Sequence, residues 1–367
     1  RLAALCLMTS AAVAGAIEVP NPSFEEGTDA PAHWTLFGKT GAWIGDATEG
    51  AKAIATTGDG AQGTSSYWRS ETLPLQQGQV YCLSFKARRI EGSGGCPITG
   101  PSFCNRDLSE MSTSWEQETS IFRVPDTAGP DEMFLRFGQW EIKGSVAYDA
   151  VQLSAAQPIY SSANGIFLGE GERIHGAEYT FNAPFQVASA NQSRPLALLG
   201  CGYNKPRLNF GASSNVIFCH TIDTCTQQSA SIELTIGYYT GGEVLVETSA
   251  DGTAWTEAGV IVETATKSFA VPEALLPAKS LWVRLTGRDK EGTAPCGLQL
   301  YGYAYHAVLD RAPGDAIGST RFVAVQGEVP DASLLIQGFG DAMPGADNVF
   351  TALVEYTGQA ACTVTPT

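Results

Sequence analysis

The chain has 367 residues and carries 22 basic against 38 acidic side chains, a formal charge of −16. That balance offers no basic stripe to displace counterions from phosphates and nothing to attract an anionic bilayer, so nucleic acid and membrane insertion drop out as partners; a neutral ligand or a divalent cation fits better. Apolar residues at 44% and charged residues at 16%, with 40 Gly and 19 Pro, suit short strands joined by turns in two or three domains better than helices or disorder.

Residues Leu2 to Ala14 are apolar or small, and Ala14-Gly15-Ala16 has the small-x-small form of a signal-peptidase site. The run is too short to span a bilayer. Residues 1–16 therefore read as a signal peptide, incomplete at its start because residue 1 is Arg, and the mature chain is expected to be secreted or at the cell surface. Of nine cysteines, all but Cys6 follow this segment, an even number suited to an oxidising compartment. Cys96 with Cys104, Cys219 with Cys225 and Cys201 with Cys296 are candidate pairs, none of them fixed by sequence. Cys82 reads as a buried thiol, and Cys362 as a residue whose partner lies outside the chain. No CxxC pair or Cys/His cluster has zinc-ligand spacing.

No long stretch keeps a 3.6-residue apolar period, whereas alternating runs recur, as in Val80 to Ala87, Ser231 to Ile236, Glu243 to Thr248 and Leu281 to Leu285. Turn clusters such as Gly58-Asp59-Gly60 and Ala250-Asp251-Gly252 separate them. The expected fold is all-β: two consecutive antiparallel β-sandwich (jelly-roll) domains over 17–156 and 157–312, then the start of a third β domain over 317–367. A polar break over Ser154 to Asn164 marks the first boundary, and four strands in the last block are too few to close a sandwich, so more protein is expected after Thr367.

The first segment carries six stretches in order: Asn21 to Gly27, Pro31 to Trp34, Glu49 to Ile54, Leu75 to Phe85, Ser114-Trp115, and Val146 to Val151. On these it resembles the galactose-binding-like jelly rolls of carbohydrate-binding modules of the family 4, 9, 16 and 22 type. The resemblance implies a structural calcium where the first and last strands meet, with Glu25 and Asp149 as side-chain ligands and backbone carbonyls near Lys52 completing the shell. A hard cation takes several oxygens, and carboxylates from both chain ends would clamp the sandwich. Ala150 stands where the family often has a second Asp. In the second segment, Ser249 to Trp255 resembles the strand–turn–Trp signature of discoidin-like (coagulation-factor type C) modules. Pro344 to Asn348, ahead of a strand, resembles the start of an immunoglobulin-like module.

Sugar recognition needs flat apolar faces for C–H surfaces and a few fixed polar groups for hydroxyls. Trp43, Trp68, Trp140 and Tyr67 are the candidate faces, with Arg136 and Gln139 as polar partners and Arg69 nearby. Trp34 and Trp115 match positions that are structural in the family. Alternation along Met133 to Gln139 sends Leu135 and Phe137 to the core and Arg136 outward.

Catalytic motifs are missing from the sequence. The four histidines stand in no nucleophile or metal motif, and there is no Gly-x-Ser-x-Gly elbow. Cys219-His220 suggests a thiol protease pair, but the nearby Cys225 favours a disulfide. Glu25 and Glu26 are adjacent and point to opposite faces of a strand, so they cannot flank one glycosidic bond. His175 near Glu172 and Glu178 reads as solvated polar residues rather than a metal site. The sequence thus points to a non-catalytic region that binds a polysaccharide or glycan, accessory to a larger extracellular polysaccharide-active or surface protein. The alternative is an adhesion protein that uses the same sandwiches for protein contact.

Overall fold

Alternating apolar residues between glycine-marked turns build strands almost throughout. Among the described residues, the computed structural model has two single-turn helices, Pro130–Glu132 and Glu273–Leu275, and no helix long and apolar enough to cross a membrane. It describes residues 16–326 apart from Ser109, Asn164 and residues 188–190, and beyond them the backbones of three strands; side chains are described over 17–323. The expected signal peptide save Ala16, with Cys6 and Cys362, lies outside the described residues.

The first segment runs through β1 (Ala16–Ile17), β2 (Trp34–Phe37), β3 (Gly41–Ile44), β4 (Ala53–Asp59), β5 (Ser65–Ser70), β6 (Val80–Ser93), β7 (Cys96–Pro101), β8 (Cys104–Asn105), β9 (Glu116–Arg123), β10 (Leu135–Trp140) and β11 (Lys143–Ala163). One antiparallel sheet has the order β2-β5-β10-β7. In the facing sheet β11 lies between β4 and β6, with β3 beyond β4 and β9 beyond β6. The inner faces meet around Phe137, whose ring packs against Phe85 at 5.0 Å, Tyr148 at 5.3 Å and Trp34 at 5.9 Å. Each such side chain contributes about 1.5–3 kcal/mol by leaving water. Val19 and Phe24 bring the N-terminal stretch into the same core.

The polar stretch expected as a break from Ser154 onward is strand as far as Ala163. Its second half stays extended because it finds new partners in the sequence that follows. Those elements are β12 (Ile166–Leu168), β13 (Glu172–His175), β14 (Glu178–Asn182), β15 (Leu196–Gly200), β16 (Gly202–Asn204), β17 (Arg207–Gly211), β18 (Asn215–Thr221) and β19 (Gln227–Gly241). They continue with β20 (Glu243–Ser249), β21 (Thr256–Ile261), β22 (Ala265–Ala270), β23 (Ser280–Arg288), β24 (Gly297–Leu309), β25 (Ala316–Ile317), β26 (Thr320–Gln326), β27 (Leu334–Gly340), β28 (Thr351–Tyr356) and β29 (Thr363–Pro366). Residues Ala156 to Tyr160 of β11 pair antiparallel with β26, and Ser161 to Ala163 with β12.

The second sandwich faces β15-β18-β23-β20-β21 against a sheet in which β24 is flanked by β19 on one side and by β14 and β17 on the other. Ile232, Leu234, Leu298 and Leu300 from one sheet meet Val216, Phe218, Val283 and Leu285 from the other. The two sandwiches join edge to edge: β8, which follows β7 directly, pairs parallel with β16 through Cys104 to Tyr203 and Asn105 to Asn204. In the third block β27 pairs with β28 and β29 with β26.

Candidate functional site

Two places in the first sandwich gather the residues singled out from the sequence. At the first, Glu25 and Asp149 grip opposite ends of one loop. Asp149, fully buried, accepts from the Thr48 amide at 2.6 Å, the Thr48 hydroxyl at 3.0 Å and the Glu49 amide at 3.0 Å on Oδ2, and from the Ala150 amide at 2.7 Å on Oδ1. Glu25 Oε1 accepts from the Ala51 and Lys52 amides at 2.9 and 2.7 Å. Between them Gly50 turns at φ +68°, where a Cβ would stand 2.4 Å from the Glu25 carboxyl carbon. Among the described residues Asp149 Oδ1 carries one hydrogen bond and Glu25 Oε2 none, so both carboxylates keep lone pairs that a hard cation can use. No group of three or more His, Cys, Asp or Glu side chains stands together as a metal site among the described residues. Trp43 belongs to this place: its indole N–H donates to Phe24 O at 2.7 Å, and Lys52 Nζ lies 4.8 Å from its ring centre.

The second place is the outer face of the sheet β2-β5-β10-β7. Pairing sets Phe37 opposite Tyr67, Tyr67 opposite Gly138, and Arg69 opposite Arg136, so these side chains share one face with Trp140. Phe37 and Tyr67 stack at 5.4 Å with rings 8° from parallel. Arg136 lies 5.6 Å over Tyr67 and donates to the Pro101 and Ser102 carbonyls at 3.3 and 3.4 Å. Arg69 lies 3.7 Å over Phe134. Trp140 and Phe37 are about two-fifths exposed (42% and 40%). A Cβ on Gly138 would strike Ser66 O at 2.2 Å, so this row stays flat between the rings. The face combines apolar planes with fixed N–H donors, and partial burial draws the Arg136 guanidinium below its usual pKa range.

Two candidates fall elsewhere. Trp68 lies in the core, 5% exposed, with its indole N–H donating to Ala55 O at 3.0 Å. Gln139 is buried and accepts from the Ile142 amide at 3.0 Å. Each is the chain neighbour of an outward aromatic, Tyr67 or Trp140, and successive strand residues point to opposite faces. Trp43 sits on β3 of the facing sheet, away from the ring face. Phe37, not singled out from the sequence, completes that face.

The remaining polar candidates are structural. Cys96, Cys104, Cys201, Cys225 and Cys296 are thiols, so none of the three candidate pairs is bonded. Cys219 and His220 point to opposite faces of β18, and only His220 enters the core. His220 stacks on Tyr305 at 3.7 Å. Its Nε2 lies 2.8 Å from the Tyr303 hydroxyl and its Nδ1 3.3 Å from that of Tyr179. Tyr179 in turn donates to Glu172 Oε1 at 2.7 Å, so the network assigns the ring proton to Nδ1. Glu172, expected in solvent, is buried and held by Arg194 through two N–H···O bonds of 2.5 and 2.7 Å. His175 pairs instead with Asp315, 2.9 Å away. In the second sandwich Asp251 accepts from the Thr253 and Ala254 amides at 2.7 and 2.9 Å, which closes the turn before Trp255.

No protein-family model matches the chain, and no curated protein matches it. Among solved structures it is similar to the N-terminal CBM22-1–CBM22-2 tandem domain of Xyn10C from Paenibacillus barcinonensis, with 14% identity over 82% of this chain and 100% of that one, at a TM-score of 0.30. The CBM22-1 xylan-binding domain of the same protein matches at 18% identity, covering 40% of this chain and 97% of that one, TM-score 0.30. A family 4 carbohydrate-binding module matches at 18% identity, covering 35% and 97%, TM-score 0.27.

Proposed function

We propose that the first sandwich binds a glycan chain on the outer face of β2-β5-β10-β7, and that the chain is a secreted or cell-surface, non-catalytic part of a larger polysaccharide-active or surface protein. One observation carries the reading: Phe37, Tyr67 and Trp140 share a flat face with Arg69 and Arg136. Pyranose rings present C–H planes to aromatic faces and hydroxyls to fixed donors, and this face offers both. The test is retention on insoluble cellulose, xylan, mannan and a uronic-acid polymer. Retention on one of them, lost in Trp140→Ala, supports the reading. Retention on none overturns it and leaves protein contact, the adhesive alternative, in its place.

We further propose a structural calcium held by Glu25, Asp149 and carbonyls near Lys52. The support is that both carboxylates close on one loop and keep unused lone pairs. Bound there, the cation would tie the N-terminal stretch to the closing strand. The check is the melting temperature of the full chain after chelation, with and without added calcium; no upward shift overturns the site.

A further inference from the structure

The ring-bearing sheet ends at β7, and the chain turns there into the neighbouring sheet. Its last strand β7 leads directly into β8, and β8 is hydrogen-bonded to β16 of the second sandwich. The Tyr203 amide donates to Phe103 O at 2.7 Å across this seam. β10 pairs with β7 in the first sheet, and β8, β16, β17 and β24 pair in succession in the second.

What lies at the far end repeats the chemistry of the near end. Alternation buries Leu208, Leu298 and Leu300 and turns Arg207, Asn209, Gln299 and Tyr301 outward. Register aligns Asn209, Gln299 and Tyr238 in one row. Tyr301 is 38% exposed and Tyr238 50%. Tyr301 lies flat against Gly237, where a Cβ would be 2.4 Å from the ring, and the Arg207 guanidinium stands 5.6 Å from the ring centre. Tyr301 donates to Gln299 Oε1 at 3.2 Å, and among the described residues Arg207 Nε and Asn209 Oδ1 are buried polar atoms without a hydrogen-bond partner. Buried polar atoms are almost always paired, and a polar ligand on this face could meet both. Asp107 Oδ1, in the first sandwich, is a third such atom at the seam. Burial raises its carboxyl above the usual range while the charges of Lys205 and Arg207 draw it down. The Arg207 charge also acts on Cys96, the register partner of Trp140.

We propose that the second sandwich carries a further glycan subsite built by Arg207, Asn209, Gln299, Tyr301 and Tyr238, continuous with the face of Trp140, so that one polysaccharide chain lies across both sandwiches. The inference rests on the glycan reading of the first face and assigns the second sandwich its ligand. A short oligosaccharide fills the first face alone, while a long chain engages both and gains affinity from the linked contacts.

The test measures affinity of the full chain for soluble mixed-linkage β-glucan, xylan and glucomannan, each beside its own trisaccharide. For the polymer that binds, Tyr301→Ala and Tyr238→Ala each weaken binding about tenfold, leave the trisaccharide unchanged, and keep the melting temperature of the parent. Trp140→Ala weakens both ligands. Polymer affinity unchanged in both tyrosine variants, with Trp140→Ala still disruptive, overturns the continuous site and spares the first. Trp140→Ala without effect on either ligand overturns the glycan reading itself.

Discussion

Glu25 and Asp149, from opposite ends of the first sandwich, hold successive amides of the same loop, Thr48 and Glu49 by one carboxylate and Ala51 and Lys52 by the other. The loop thereby adds a side-chain tie between the N-terminal stretch and the closing strand, beside the antiparallel pairing of β1 with β11. Removing Asp149 strands three amides and a hydroxyl. Hydrogen bonds to a charged group are worth about 1.5–3 kcal/mol each, and buried donors left unmet cost their desolvation. Asp149→Ala is expected to lower stability by about 3–5 kcal/mol, read as a drop in urea midpoint at unchanged slope. Glu25→Gln keeps a carbonyl acceptor for Ala51 and Lys52, so its loss is expected to be about 1 kcal/mol. With calcium added, the parent melting temperature is expected to rise and that of Glu25→Gln to stay put; equal rises in the two would remove Glu25 as a ligand.

Trp68 and Trp140 separate packing from binding. Trp68→Ala empties a core site and is expected to cost about 3–5 kcal/mol, while material that stays folded keeps its glycan retention. Trp140→Ala removes an exposed ring, leaves stability within about 0.5 kcal/mol, and abolishes retention. Urea denaturation and polysaccharide pull-down on the same two preparations give the comparison. The opposite pattern, retention lost with Trp68 alone, would place the glycan elsewhere.

The same pair shows what was legible before any coordinates. Once Leu135 and Phe137 are placed in the core, a period of two sends Gln139 inward and Trp140 outward, so Gln139 was excluded by the reasoning that admitted Arg136. Phe37 follows in the same way, three residues after the structural Trp34 and hence on the opposite face. Tyr67 and Trp68 were different. Both are aromatic, and only the pairing of Trp68 with Phe137 fixes which one faces the core, a long-range register that no local pattern encodes. The break expected after Ser154 failed for a related reason. Its serines and alanines lack strand propensity, and partners more than a hundred residues away hold it extended. Cysteine spacing gave candidate pairs but no geometry. Cys104 and Cys201 are instead buried thiols whose ionisation burial suppresses.

His220 makes the second sandwich sensitive to mild acid. Burial, helped by the Arg194 charge, holds its pKa well below the usual value, so the folded state keeps it neutral. The unfolded chain protonates it near pH 6.5. Below that pH the unfolded state binds one more proton than the folded state, so stability falls as pH falls. Between pH 7 and pH 5 the loss is about 2 kcal/mol. Carboxylates such as Asp310 and Asp315, held below their usual range, lose their contributions only below about pH 4, a separate window. Urea titrations at pH 5, 6 and 7 are expected to show this slope in the parent and not in His220→Gln. A slope that survives the substitution would assign the sensitivity to another group.

Arg123 and Asp126 fasten the two sandwiches at a second point, away from the seam of β8. The Arg123 guanidinium donates to the Leu196 and Ala197 carbonyls at 2.8 and 3.2 Å and to Asp126 at 3.0 Å, while Asp126 Oδ2 accepts from the Leu199 amide at 2.7 Å. The Asn191 side chain satisfies both the amide and the carbonyl of Arg123, covering the edge of β9 as a paired strand would. These charge-assisted bonds run between the sandwiches, so they hold the pair in one orientation rather than stabilising either core. Scanning calorimetry of the parent is expected to give one transition for the two sandwiches, and Arg123→Ala to split it into two as their coupling falls by about 3 kcal/mol. A freed orientation would also separate the two faces proposed to share one glycan chain. Arg123→Ala, which touches neither face, is therefore expected to weaken binding of a long glycan and leave that of a trisaccharide unchanged. One unsplit transition together with unchanged polymer affinity would mean that the seam alone fixes the tandem.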